Sequence, residues 1–266
     1  MTTICCIRHS VFGMLFFDML ILYGIHPVLE ALKKRPHAFH RIFLAHDKGS
    51  ADVQQIRALA HAAHIPAALL PPHELTRLCR SEQHQGVVAE VEPVPLSALE
   101  ELVAHWKQHH EKALFLILDS IQDPQNFGAL IRTAYCCGAM GVIFPQDRAA
   151  TVTGAVAKAS AGATEHIPLC RVVNIAATIE ALKKEGVWIV GTAPQSETSL
   201  YAFDFNLDVA VIIGAEGKGM RHLVARKCDF CISIPMQGEL DSLNASVAGA
   251  VVLFEIMRQR QYIKKQ

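Results

Sequence analysis

The sequence predicts an α/β protein in two units, a larger C-terminal domain with a parallel sheet and a small α/β domain ahead of it. Three observations carry this. Short continuous apolar runs at 114–118, 142–144, 187–190, 209–213 and 230–234 read as strands buried on both faces. Apolar residues at helical spacing fill the intervals at 127–137, 154–163, 175–185, 220–226 and 243–260. Pro93 and Pro95 break an earlier β/α alternation and divide the chain. With 266 residues, 51% of them hydrophobic, there is ample material for two cores, and a disordered chain is excluded.

Taken in order, residues 1–18 are expected to be a disordered or artefactual extension. The apolar stretch 11–25 contains Asp18 and is too short to span a bilayer, and no small-x-small cleavage site follows it. The first unit covers 19–94. A short run at 21–23 precedes a helix at 26–34, whose apolar face is Val28, Leu29 and Leu32. A strand at 41–45, a helix at 51–63, a strand at 67–70, a helical turn at 74–78 and a strand at 86–91 follow. Residues 95–112 read as a linker in which Ser97 caps a helix from 98 to about 109. The second unit runs from 113 to 266.

Eight cysteines occur, two adjacent pairs among them, and most of the others sit in apolar runs. That distribution suits reduced, buried thiols in a cytoplasmic protein. The lone Cys228-Asp-Phe-Cys231 enters a strand-like run and reads as core packing. His37/His40 and His61/His64 have i,i+3 spacing without acidic or cysteine partners, so no metal is expected. The 25 basic and 25 acidic residues balance, which argues against wholesale electrostatic capture of nucleic acid. A local basic cluster nevertheless stands out at Lys33, Lys34, Arg35, His37, His40 and Arg41.

In open α/β sheets, ligands collect beyond the carboxyl ends of the strands. Three such loops here are rich in small and polar residues. The first, from Asp119, carries Pro124, Asn126 placed to cap the next helix, and Arg132 about two turns on. The second, Ile213-Gly-Ala-Glu-Gly-Lys-Gly-Met220, is neither a Walker loop nor a GxGxxG fingerprint. The third, from Ile234-Pro-Met-Gln-Gly, offers Ser242 and Asn244 at the start of a long helix, more than capping alone requires.

These three segments, in this order, resemble the motifs of the SpoU (TrmH-like) branch of the SPOUT RNA methyltransferases. The string from Ile234 to Ala248 is the most specific of them; Ala245 departs conservatively from the usual Val. Tyr23-Gly-Ile-His-Pro-Val-Leu-Glu-Ala-Leu32 and His84-Gln-Gly-Val-Val-Ala89 resemble the family's L30e-like RNA-binding domain. The resemblance implies a deep trefoil knot in the second unit, a rare exception to unknotted chains. It also implies S-adenosylmethionine as cofactor, a homodimer, and no membrane. The implied reaction is 2′-O-methylation of a guanosine in the peptidyl-transferase centre loop of 23S rRNA. Asn126, Arg132, Glu216, Ser242 and Asn244 fall on catalytic positions. Gly214, Ile234 and Leu243 fall on cofactor positions, with Thr192, Ala193, Gly217 and Met236 expected beside them. Lys33, Lys34, Arg35, Arg41, Arg148 and Lys158 are expected to face RNA, and Ser160 shares the segment of the last two.

The family's proposed proton acceptor matches Arg132. A guanidinium keeps its proton to above about pH 12, and neutralising one at pH 7 costs roughly 7 kcal/mol. A second role stays open: Arg132 clamps phosphate and stabilises the developing alkoxide, while the proton leaves through water or Glu216. Two other functions also stay open, a tRNA 2′-O-methyltransferase of the same fold and a non-catalytic RNA-binding assembly factor. A Rossmann-type enzyme is disfavoured because no GxGxxG follows the first strand.

Overall fold

The structure, a computed structural model, describes residues 19–46, 50–109, 111–238 and 242–263. The extension expected at 1–18 lies outside the described residues. The first unit comprises β1 (Leu20–Tyr23), α1 (Ile25–Lys34), β2 (Phe39–Ala45), α2 (Ala51–Ala62), β3 (Ala67–Leu70), α3 (Pro72–Cys79) and β4 (Val87–Val91). Its sheet has the order β1-β4-β2-β3, with only the β2/β3 pair parallel. Alternation along β2 sends Ile42 and Leu44 to one face, where Val28, Leu29 and Leu32 of α1 and Val53 and Ile56 of α2 cover them. Phe43 points to the other face and meets Leu75 of α3.

The segment expected to be a linker holds α4 (Leu99–Gln108). Its first turn is closed not by Ser97 but by Glu101, whose carboxylate accepts the Ala98 N–H at 2.9 Å. The Ser97 N–H instead donates to the Leu169 carbonyl at 2.9 Å. Leu102 and Trp106, one turn apart, are buried with Phe115, so this helix belongs to the core of the second unit.

The second unit continues with β5 (Leu114–Asp119), α5 (Pro124–Cys136), β6 (Gly141–Pro145), α6 (Gly154–Ala159), β7 (Leu169–Val172) and α7 (Ile175–Lys184). It ends with β8 (Trp188–Thr192), β9 (Val209–Gly214), α8 (His222–Ala225), β10 (Phe230–Ile232) and α9 (Ala245–Ile263). All pairs in its six-stranded sheet, ordered β10-β8-β9-β5-β6-β7, are parallel. Both faces are covered, which is why the strands read as unbroken apolar runs. Leu114, Leu116, Leu118, Val211 and Ile213 pack beneath Phe127, Leu130, Val252 and Leu253 of α5 and α9. Phe115, Ile117, Ala210 and Ile212 face Leu102, Ile179 and Leu182 of α4 and α7.

The sheet order carries the functional consequence. Neighbours β9 and β5 bring the loops after Asp119 and Gly214 side by side, and β8 and β10 add their own ends next to them. The two units meet where α6 packs on β1 and α1, and Ala157 of α6 lies inside the core of the first unit. No helix among the described residues is long and apolar enough to cross a membrane.

Candidate active site

The first loop leaves β5 through Asp119, which is fully buried and accepts the Arg221 N–H at 2.7 Å and its Nε–H at 2.6 Å. This ion pair ties the end of β5 to the start of α8, where the glycine loop after β9 ends. Sequence reasoning gave Asp119 no such role, because its partner lies 102 residues away. Asn126 does not cap α5, contrary to expectation. Asp123 does, accepting the N–H groups of Gln125 at 3.3 Å and Asn126 at 3.0 Å, with Pro124 filling the first helical position. The Asn126 side chain is thereby free to point elsewhere.

It meets Asn244. Asn244 Nδ2 donates to Asn126 Oδ1 at 3.0 Å and to Glu216 Oε2 at 3.3 Å. The other end of the same amide caps α9, Oδ1 accepting from Ser246 N–H at 2.9 Å, Ser246 O–H at 2.6 Å and Val247 N–H at 3.3 Å. One side chain therefore fixes the start of α9 and links the three loops. Glu216 is exposed, while Asn126 and Asn244 are half-buried, so the cluster lies at the surface with its carboxylate open to a ligand.

Ser242 and Arg132 are not drawn into this cluster. Both are exposed, and neither side chain makes a hydrogen bond or ion pair among the described residues. Arg132 stands on the same helix, α5, nearly two turns beyond Asn126, with its guanidinium exposed.

The residues expected to hold the cofactor line the ends of adjacent strands. Thr192 closes β8 and donates its hydroxyl to the Ile212 carbonyl at 3.0 Å, and the Ala193 N–H reaches the Ile232 carbonyl at 2.9 Å. Gly214 ends β9 where the loop folds straight back, so that a Cβ there would lie 2.2 Å from the Gly219 carbonyl carbon. Ala215 and Gly219 exchange backbone hydrogen bonds at 3.0 and 2.8 Å, a turn that Gly217 enables at φ 73°. Ile234 is half-buried against the core, and Met236 and Leu243 are exposed. Bare backbone at three strand ends, flanked by thioether and branched apolar side chains and by the Glu216 carboxylate, suits a ligand with a flat apolar base and a cationic centre. S-adenosylmethionine has that chemistry, so these residues fit the expected cofactor.

The cations expected on RNA divide. Lys34 and Arg41 are exposed on the first unit, Arg41 lying 5.9 Å from the Phe43 ring centroid, and Lys33 is exposed but paired with Glu30 at 2.8 Å. Arg148 is exposed at φ 60° in the loop after β6. Arg35, contrary to expectation, is buried and doubly bonded to Glu165, at 2.6 and 3.1 Å. Lys158 is half-buried, its Nζ donating to Gln85 Oε1 at 2.5 Å across the junction of the units, and burial lowers its pKa. Ser160 is buried as well, donating to the Ala157 carbonyl. Local charge density cannot distinguish a lysine facing solvent from one closing a domain junction.

No group of three or more His, Cys, Asp or Glu side chains that could hold a metal occurs among the described residues. Cys228 and Cys231 lie half-buried at the start of β10, with the Cys228 thiol pushed up to about 12 by burial first and by Cys231 next.

The SpoU rRNA Methylase family model matches residues 113–254, and the model for RNA 2′-O ribose methyltransferase substrate binding matches 21–97. The chain is 40% identical to the 23S rRNA (guanosine-2′-O-)-methyltransferase RlmB of Coxiella burnetii, over 90% of this chain and 96% of that one. It is 41% identical to the RlmB of Pseudomonas putida, over 90% and 96%. Among solved structures, the SpoU methyltransferase AviRb of Streptomyces viridochromogenes in complex with AdoMet superposes with a TM-score of 0.77 at 25% identity, covering 92% of this chain and 91% of its own. A match to the methylase model over more than half of the chain, and relatives matched over nearly their whole length, lead to one conclusion: the chain belongs to the SpoU rRNA methylase family.

Proposed function

We propose that the chain transfers a methyl group from S-adenosylmethionine to the ribose 2′-oxygen of a guanosine in 23S rRNA, within the peptidyl-transferase centre loop. The observation that carries the reading is the bridge from Asn244 to Asn126 and Glu216, which gathers the polar groups of three separate loops at one edge of the sheet. The RlmB relatives supply the substrate class, and the AdoMet complex of AviRb supports the cofactor.

When bound, the cofactor supplies a methyl group already activated on a sulfonium, so no metal is needed. The chain's residues have the remaining work. Gly214, Gly217, Thr192 and Ala193 offer backbone, and Ile234, Met236 and Leu243 offer apolar surface. Asn244, braced by Asn126, holds Glu216 in place, Ser242 is free to meet the ribose, and Arg132 is free to clamp phosphate beside the 2′-oxygen. Holding both reactants in one geometry supplies much of the rate. The proton leaves through water or Glu216, with the Arg132 guanidinium charged throughout.

Exposed Lys33, Lys34 and Arg41, together with Arg148, form the RNA contacts in this reading. A homodimer suits α9, where Val247 and Phe254, two turns apart, stay exposed on one side. A cytoplasmic location follows from the substrate. Residues 19–94 are the RNA-binding unit, and the methyltransferase unit takes in α4 as well as 113–266.

Transfer of tritiated methyl from S-adenosylmethionine to unmodified 23S rRNA fragments and to tRNA tests the reading. Label in the 23S fragment alone is expected. Label in tRNA alone supports the tRNA enzyme, and binding to RNA without label supports the assembly factor.

A further inference from the structure

The junction between the two units contains a buried ion pair that the chemistry of neither unit requires. Arg35 directly follows α1, and Glu165 ends a short 3-10 turn, Ala163–Glu165, between α6 and β7. Nε and Nη2 of Arg35 meet the two carboxylate oxygens at 2.6 and 3.1 Å, and the side chains are only 10% and 2% exposed. The third nitrogen, Nη1, donates to the carbonyls of Glu92 at 2.8 Å and Pro93 at 3.4 Å, where the strap between the units begins. One guanidinium thus joins the end of α1, the exit of β4 and the methyltransferase unit.

The contacts around it give the same register. Glu30 Oε2 lies 2.8 Å from His166 Nε2, and the His166 ring stacks on Tyr135 with centroids 5.2 Å apart. Tyr135 is on α5, three residues beyond Arg132. On the other side of the pair, Gly154 presses against β1 so closely that a Cβ would lie 2.0 Å from the Ile21 carbonyl oxygen.

A buried ion pair is a poor source of stability, because desolvation offsets most of the attraction and apolar residues of equal volume do as well. A two-pronged guanidinium–carboxylate contact does, however, fix both distance and angle. Apolar contact alone would allow the units to slide. We infer that Arg35 and Glu165 are positioning residues for methyl transfer. They hold the RNA-binding unit at one orientation to α5, so that RNA gripped by the first unit reaches the Asn126–Glu216–Asn244 cluster in register. This inference rests on the rRNA-methylation reading, and it implies that the pair acts on the rate rather than on RNA affinity.

The test uses the full-length chain with Glu165→Gln, Arg35→Lys and the charge-exchanged Arg35→Glu/Glu165→Arg. Single-turnover methylation of a 23S fragment, RNA Kd and S-adenosylmethionine Kd are measured beside small-angle scattering. In Glu165→Gln the rate should fall roughly 10- to 100-fold while both Kd values stay within about twofold, because positioning is lost and the two binding surfaces are not. Its radius of gyration should rise. Arg35→Lys, which keeps the charge and loses the fork, should fall between, and the exchanged pair should recover part of the rate. A wild-type rate in Glu165→Gln overturns the inference, as does a rate loss matched by an equal loss of cofactor affinity. If the wild-type chain methylates no RNA, the substrate reading fails separately, and an unchanged radius of gyration in Glu165→Gln still overturns the junction's role.

Discussion

Asn126 and Asn244 stand 118 residues apart in sequence and 3.0 Å apart in space, the amide of the second donating to the carbonyl of the first. Because the same Asn244 amide caps α9 through its oxygen, its two ends are separable by mutation. Asn244→Asp keeps the cap and loses the donor. It should leave the melting temperature nearly unchanged and lower the single-turnover rate on the order of 100-fold, the scale of a lost active-site donor. Asn244→Ala should lose the rate and also about 1 kcal/mol of stability, the worth of a helix cap. Thermal melts beside the rate measurement separate the two.

Glu216 and Arg132 carry opposite expectations for pH dependence. If the proton leaves through Glu216, Glu216→Gln should lower the single-turnover rate and flatten its acid limb, while Arg132→Lys lowers the rate without changing the profile's shape. Full rate with a wild-type profile in Glu216→Gln would leave water as the acceptor.

Asp119 binds Arg221 through both backbone and side chain, joining the end of β5 to the start of α8. Asp119→Ala leaves the Arg221 N–H without its partner and should cost about 2 kcal/mol in denaturant unfolding. S-adenosylmethionine affinity should fall with it, since Gly214 begins the glycine loop so anchored. A stability change below about 0.5 kcal/mol, the range of an ordinary surface substitution, would contradict this role.

Burial raises the thiols of Cys137 and Cys170 to about 11 and that of Cys228 to about 12. All three therefore stay protonated and slow to react at pH 8, whereas Cys136 is exposed. Alkylation of the native protein at pH 8, mapped by peptide mass spectrometry, should label Cys136 and spare those three. Prompt labelling of Cys228 would instead indicate a reactive CxxC.

How much of this was legible in the sequence follows from the range of each interaction. Strands β5 and β9, buried on both faces, announce themselves as apolar runs. Strand β7 does not, because it is a four-residue edge strand that carries the exposed Arg171. The buried side of α4 rests on Leu102 and Trp106 alone, too faint against its Glu, His and Lys to separate a packed helix from a linker. The motif residues Asn126, Glu216 and Asn244 were readable as candidates, but their contact was not. Arg35 reads as an RNA contact in the sequence because its partner, Glu165, lies 130 residues away.

The most direct measurement is nucleoside mass spectrometry of unmodified 23S rRNA after incubation with the chain and S-adenosylmethionine. One new 2′-O-methylguanosine is expected, placed by fragment mapping in the peptidyl-transferase centre loop and lost with Asn244→Asp. Methylation on a base, on another nucleoside, or undiminished in Asn244→Asp would contradict it.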